Sequence, residues 1–266
     1  MRLNRRQCLA LVAGSIATHP LAEESAARAE TQPQVKAIAF DAFPVFDARP
    51  IAALAERLFP ENGAELSNIW RTRQFEYQWL RALGRNYADF WQATEDALVF
   101  AAALLGLELS RDKRGKLMDA YLELRAWPEV PNALEELKSA GLRLALLSNA
   151  TPAILNAGIN NSKLEGIFDY VLSTDRIKSY KPDQRAYRMA VDAFGLTRQE
   201  ILFVAFAGWD VAGAKWFGYP TFWVNRLKSP GEELGVAADA IGSDLNDLVS
   251  FVNRYGRSSP HSTPGH

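Results

Sequence analysis

The sequence predicts an α/β protein whose Rossmann-like parallel sheet is interrupted, after its first strand, by an all-helical insertion. Three observations carry that prediction. From residue 132 onward, short apolar runs alternate with helical stretches at the spacing of βαβ units. Residues 51–125 repeat apolar side chains every three or four positions, with no two-residue alternation. The run Val35-Lys36-Ala37-Ile38-Ala39-Phe40 stops abruptly at a carboxylate, Asp41. Open α/β sheets bind their ligands outside the carboxyl ends of the strands.

The first stretch is a different kind of sequence. Asn4-Arg5-Arg6-Gln7 precedes a moderately apolar run, residues 8–17, too short to span a bilayer. Ala27-Arg28-Ala29 has the small-x-small form of a cleavage site, leaving Glu30 first. Residues 1–29 therefore read as a signal peptide, and Arg5-Arg6 suggests twin-arginine export to the periplasm. The alternative is a disordered amphipathic tail on a cytoplasmic protein.

The first strand, 35–40, leads into a loop with two prolines, Pro44 and Pro50. Helical periodicity then runs through Ile51/Leu54/Ala55/Leu58, Ile69/Trp70/Phe75/Trp79/Leu80 and Leu98/Ala101/Ala102/Leu105 to Leu117/Tyr121/Leu124. That predicts four or five helices over residues 48–127, their aromatics mostly core. Trp127-Pro128-Glu129-Val130-Pro131 reads as a hinge back into α/β structure. Asn132 is expected to cap a helix through Lys138, ended by Gly141. Strands are expected at 142–147, 168–172, 201–206 and 221–224, with helices from about 152, over 185–194 and through 217. The core domain is then 35–47 plus 128–252, and 253–266 reads as a disordered tail.

Inventory narrows the chemistry. The net charge of −1 and the absence of a basic block argue against nucleic acid or an anionic membrane surface as partner. Cys8 is the only cysteine, so the chain beyond residue 29 has no thiol nucleophile and no disulfide. The histidines, His19, His261 and His266, all lie in the tails. Proton transfer in the folded body must therefore use carboxylate, lysine, tyrosine or water.

Four strand ends carry polar residues: Asp41, Ser148-Asn149, Lys181 after the third strand, and Asp210. Singly, Asp41 could cap a turn, Ser148 start a helix and Lys181 be a solvated turn lysine. Together, and in this order, they mark one site.

With those residues in view, the chain resembles the L-2-haloacid dehalogenases, a branch of the haloacid dehalogenase superfamily, over about residues 36–252. Trp70-Arg71-x-Arg73-Gln74-Phe75-Glu76-Tyr77-x-Trp79-Leu80 and Gln92-Ala93-Thr94-Glu95-Asp96-Ala97-Leu98 resemble motifs of that branch's helical cap. Leu147-Ser148-Asn149, Tyr180-Lys181-Pro182-Asp183 and Gly208-Trp209-Asp210-Val211-Ala212-Gly213-Ala214 resemble its core motifs. The resemblance implies hydrolytic dehalogenation of short 2-haloalkanoic acids, with no cofactor or metal and often as a homodimer. Asp41 would be the nucleophile, Lys181 would keep it ionised, and Arg71 with Asn149 would take the halide. Ser148 and the amides around Ala42 and Phe43 would hold the substrate carboxylate. Phe43, Phe90 and Trp209 would form an apolar wall, and Tyr187 and Asp210 would support Lys181 and the hydrolytic water.

The chain departs from that pattern at three places. The nucleophile is followed in the family by Asp-x-aromatic-Gly-Thr and a further Asp; here Asp41-Ala42-Phe43-Pro44-Val45-Phe46-Asp47 lacks the Gly-Thr pair. Ala205 and Ala207 stand where the family carries Ser and Asn. Lys181, deprived of those partners, is expected to have a lowered pKa if nothing replaces them. The alternative to a dehalogenase is thus an impaired or repurposed relative that binds a small carboxylate. A phosphatase is disfavoured because Phe43 occupies the position of the phosphatases' second aspartate.

Overall fold

The computed structural model describes residues 34–255. The elements are, in order, β1 (Ala37–Phe40), α1 (Ala42–Val45), β2 (Phe46–Asp47), α2 (Arg49–Leu58), α3 (Gly63–Leu83), α4 (Phe90–Leu104) and α5 (Arg111–Asp119). They continue with β3 (Arg125–Ala126), α6 (Val130–Ser139), β4 (Arg143–Ser148), α7 (Pro152–Asn161), β5 (Tyr170–Ser173) and α8 (Gln184–Phe194). The last are β6 (Ile201–Ala205), α9 (Gly208–Phe217), β7 (Thr221–Val224), β8 (Ala240–Gly242) and α10 (Leu245–Tyr255).

Among the described residues the main sheet has six strands in the order β5-β4-β1-β6-β7-β8, all parallel. β1 lies inside it, with Ile38 level with Leu144 and Leu202, and is wholly buried. Its alternating side chains serve two cores. Ile38 and Phe40 pack with Leu134, Leu155 and Leu248 from α6, α7 and α10. Ala37 and Ala39 pack on the opposite face with Ala190, Phe194 and Phe217 from α8 and α9. Burial on both faces is why the strands read as continuous apolar runs.

The helical insertion comprises α2 to α5 and a single turn at Ala120–Leu122. Its ends are pinned by the antiparallel pair β2–β3, Phe46 opposite Ala126 and Asp47 opposite Arg125. Its aromatics are divided: Trp70 and Phe90 are buried and both meet Tyr121 edge to face, whereas Phe75, Tyr77 and Trp79 are only half-buried.

Several expectations need correction. The stretch after Asp41 opens not as a tight loop but as one helical turn, α1, because Asp41 accepts the Phe43 N–H at 3.2 Å. Pro44 fits that first turn because its missing N–H has no partner to lose there. α6 starts at Val130, not after Asn132, with Pro131 in its first turn for the same reason. α10 runs to Tyr255, so residues 253–255 are helix rather than tail. The signal-peptide reading and the rest of the tail lie outside the described residues. Among the described residues no helix is long and apolar enough to cross a membrane.

Candidate active site

The site is built where β1, β4 and β6 end. Lys181 is fully buried, and its ammonium lies 2.8 Å from Asp41 Oδ1 and 2.7 Å from Asp210 Oδ2. The other two carboxylate oxygens also have donors: Phe43 N–H on Asp41 Oδ2, and the Tyr187 hydroxyl on Asp210 Oδ1 at 2.7 Å. A cation therefore already bridges the two aspartates. A divalent metal there would have to displace it, and among the described residues no group of three or more His, Cys, Asp or Glu could hold a metal ion.

Asp210 sits in the first turn of α9, where the helix dipole favours negative charge. Burial nonetheless raises its carboxyl to about 6, against the pull of Lys181 and Tyr187. Burial likewise disfavours the Lys181 ammonium, yet Asp210 and Asp41 outweigh it and the pKa is raised. The lowered value expected from the lost Ser and Asn is thus overturned: the two carboxylates supply what the alanines cannot. Gly213 makes this geometry feasible, since a Cβ there would fall 2.3 Å from the Tyr187 hydroxyl.

Asn149 joins core to cap. Its Oδ1 accepts the Lys181 backbone N–H at 2.8 Å, which fixes the amide orientation. Its Nδ2 then donates to Gln78 Oε1 of α3 at 3.0 Å and keeps a second N–H. Ser148 ends β4, and its Oγ accepts the Ala150 N–H.

Above these residues lies a cavity of about 280 Å³, roofed by the cap. Asp41, Asp210, Ser148 and Asn149 line its floor; Phe43, Phe90 and Trp209 line its walls. Arg71 reaches in from α3, its guanidinium 5.8 Å from the Phe206 ring and 6.0 Å from the Phe75 ring. It makes no hydrogen bond or ion pair among the described residues. Desolvation pulls its pKa below the ordinary value, opposed by Tyr121 and Asp41.

Three expected residues are not at the cavity surface. Lys181 lies behind the two aspartates rather than facing the cavity. Tyr187, expected to support Lys181 and the hydrolytic water, is buried behind Asp210, to which its hydroxyl donates. The Ala42 side chain is packed in the core, because its place in α1 turns it inward.

The loop without Gly-Thr is held by other means. Trp127 donates its backbone N–H to Val45 O and its indole N–H to Phe43 O, and Arg226 donates to Pro44 O at 2.9 Å. The guanidinium groups of Arg49 and Arg226 lie 4.3 Å and 4.2 Å from the Trp127 ring. Asp47, the further aspartate of the pattern, is engaged by Arg49 at 2.7 Å. Ala205 and Ala207 bring only methyl groups, while Phe206 between them meets Phe43 at 6.2 Å in the cavity wall.

Sequence reasoning missed Gln74, Gln78, Tyr121, Phe206 and Trp127 as site residues. Only the glutamines carried a signal: amides four residues apart on an otherwise apolar helix face.

The haloacid dehalogenase-like hydrolase model matches residues 3–218. An (S)-2-haloacid dehalogenase of Pseudomonas sp. (strain YL) is 46% identical over 82% of this chain and 94% of its own. A solved L-2-haloacid dehalogenase is 43% identical, covering 83% of this chain and 99% of that one, with a TM-score of 0.81. The L-2-haloacid dehalogenase of Xanthobacter autotrophicus with chloropropionic acid covalently bound is 34% identical, at 83% and 99% coverage and a TM-score of 0.76. The chain belongs to the haloacid dehalogenase-like hydrolases.

Proposed function

We propose that this protein hydrolyses short 2-haloalkanoic acids to 2-hydroxy acids through an ester on Asp41. The observation that carries the reading is Asp41, held by Lys181 at 2.8 Å, at the floor of a roofed cavity that Arg71 enters with no hydrogen bond or ion pair among the described residues. In the first step an Asp41 oxygen attacks C2 from the side opposite the halogen; the C2–O bond forms as the C2–halogen bond breaks. The halide leaves towards Arg71 and the free Asn149 N–H, donors placed where charge develops. The aromatic walls limit water during this step. In the second step water attacks Cγ of Asp41, steered by Asp210 while Lys181 holds both carboxylates from behind, and the 2-hydroxy acid departs. One carboxylate oxygen of Asp41 is thereby exchanged for one from water, and a proton is released with the halide.

The names of the relatives support the substrate class, as does the chloropropionate adduct of the Xanthobacter enzyme. Chloride release from L-2-chloropropionate by the purified protein, absent in Asp41→Asn, tests the activity. A single turnover in ¹⁸O water should leave one label on Asp41. An unlabelled Asp41 would refute the ester.

A second reading, a carboxylate-binding relative without turnover, is favoured by Ala205 and Ala207. Saturable haloacid binding with no halide release from any 2-haloacid would support it. Export to the periplasm is proposed on residues 1–29 and is tested by fractionating cells and sequencing the mature N-terminus.

A further inference from the structure

Two features of the cap remain unexplained: a buried amide-hydroxyl relay, and a tyrosine at its end that faces the cavity. The Thr94 hydroxyl donates its only proton to Phe90 O at 2.5 Å. It can therefore only accept from Gln74, so the Gln74 nitrogen faces Thr94 at 2.6 Å. The same nitrogen donates to the Tyr121 hydroxyl oxygen at 3.2 Å. Tyr121 is thus an acceptor within the relay, and its own proton has no protein acceptor among the described residues. Trp70 and Phe90 close two sides of the ring, at 5.9 Å and 5.7 Å, so the open side is the cavity that Tyr121 shares with Arg71.

The buried Tyr121 hydroxyl has no protein acceptor for its proton among the described residues and shares its cavity with Arg71, so an acceptor that is not protein can meet both donors there. Arg71 contributes a cation and Tyr121 a neutral O–H; the tyrosine keeps its proton because burial pushes it up to about 12, against Gln74 and Arg71. Together they suit a small anion with no proton of its own.

We propose that Tyr121, oriented by Gln74 and Thr94, is a second donor to the departing halide, acting beside Arg71. The role rests on the dehalogenase reading and adds selectivity to it. A neutral O–H discriminates by acceptor strength, so it favours chloride over the larger, more diffuse iodide, whereas a guanidinium attracts both.

The test is single-turnover ester formation and chloride inhibition with chloro-, bromo- and iodoacetate, comparing the wild type with Tyr121→Phe. Tyr121→Phe should slow the chloro substrate about tenfold or more, the bromo substrate less, and the iodo substrate no more than about twofold. Inhibition by added chloride should weaken in parallel. Gln74→Glu, whose carboxylate would capture the Tyr121 proton, should give the same halogen order without removing the tyrosine. Equal slowing across the three halogens with unchanged chloride inhibition would overturn the proposal and leave Tyr121 a packing residue. No halide release by the wild type from any of them would instead refute the dehalogenase reading itself.

Discussion

The floor and the roof of the cavity are opposites in hydrogen bonding. On the floor every oxygen of Asp41 and Asp210 has a donor, and Lys181 is shared between them. On the roof, among the described residues, Arg71 makes no hydrogen bond or ion pair and the Tyr121 proton has no protein acceptor. The two carboxylates are fully engaged before any ligand arrives, as a nucleophile held in one orientation requires. On the proposed reaction the departing halide completes the roof, as a leaving-group site requires if it is to bind the transition state better than the substrate. The difference separates groups already committed to protein partners from donors that the proposed reaction would use.

That contrast can be broken most forcefully at Lys181. Lys181→Met strands two buried carboxylates and should cost about 3–5 kcal/mol of stability, together with all measurable turnover. Denaturant unfolding and halide release check the two losses. Arg71→Ala should lower kcat by about 10²–10³ while melting stays within the range of a surface substitution, because no hydrogen bond or ion pair is lost and the ring contacts are long. A large drop in melting temperature would show that the roof is structural after all.

The pH profile sharpens the comparison further. Because burial raises Asp210 to about 6, the folded protein takes up a proton between pH 3.8 and 6 that the unfolded chain does not. This group's contribution to stability therefore declines as pH rises through that window and is level above it. Turnover should run the other way, falling about tenfold per unit below pH 6 as Asp210 loses its charge. Tyr187→Phe removes one donor from the ionised carboxylate and should shift that acid limb upward, at a cost of about 1–3 kcal/mol in stability. The smallest effect belongs to the tie between floor and roof. Gln78→Met frees the Asn149 amide and should cost about 1 kcal/mol, raising KM more than it lowers kcat.

How much of this was legible beforehand varies by element. The parallel strands were readable because burial on both faces leaves uninterrupted apolar runs. β8 was not, since its three residues at a sheet edge are too few and too exposed to form such a run. α10 was readable and overlooked: Leu245, Leu248, Val249 and Val252 recur at helical spacing. In the site, Asp41, Lys181 and Asp210 could be found as polar residues at strand ends. Trp127 and Phe206 could not, because an aromatic residue in a cavity wall has the same sequence signature as one in a core.

The amino-acid order by itself determined the chemistry available: carboxylates, one lysine and one arginine at the right elements, with no thiol and no histidine in the folded body. It also determined where along the strands those groups emerge, because side-chain periodicity is local. Only the tertiary structure decided which groups pair and which stay unpaired. Lys181 meets Asp41 across 140 positions, and Gln78 meets Asn149 across 71. Such pairings depend on how packed elements bring distant side chains within 3 Å, which no local pattern encodes.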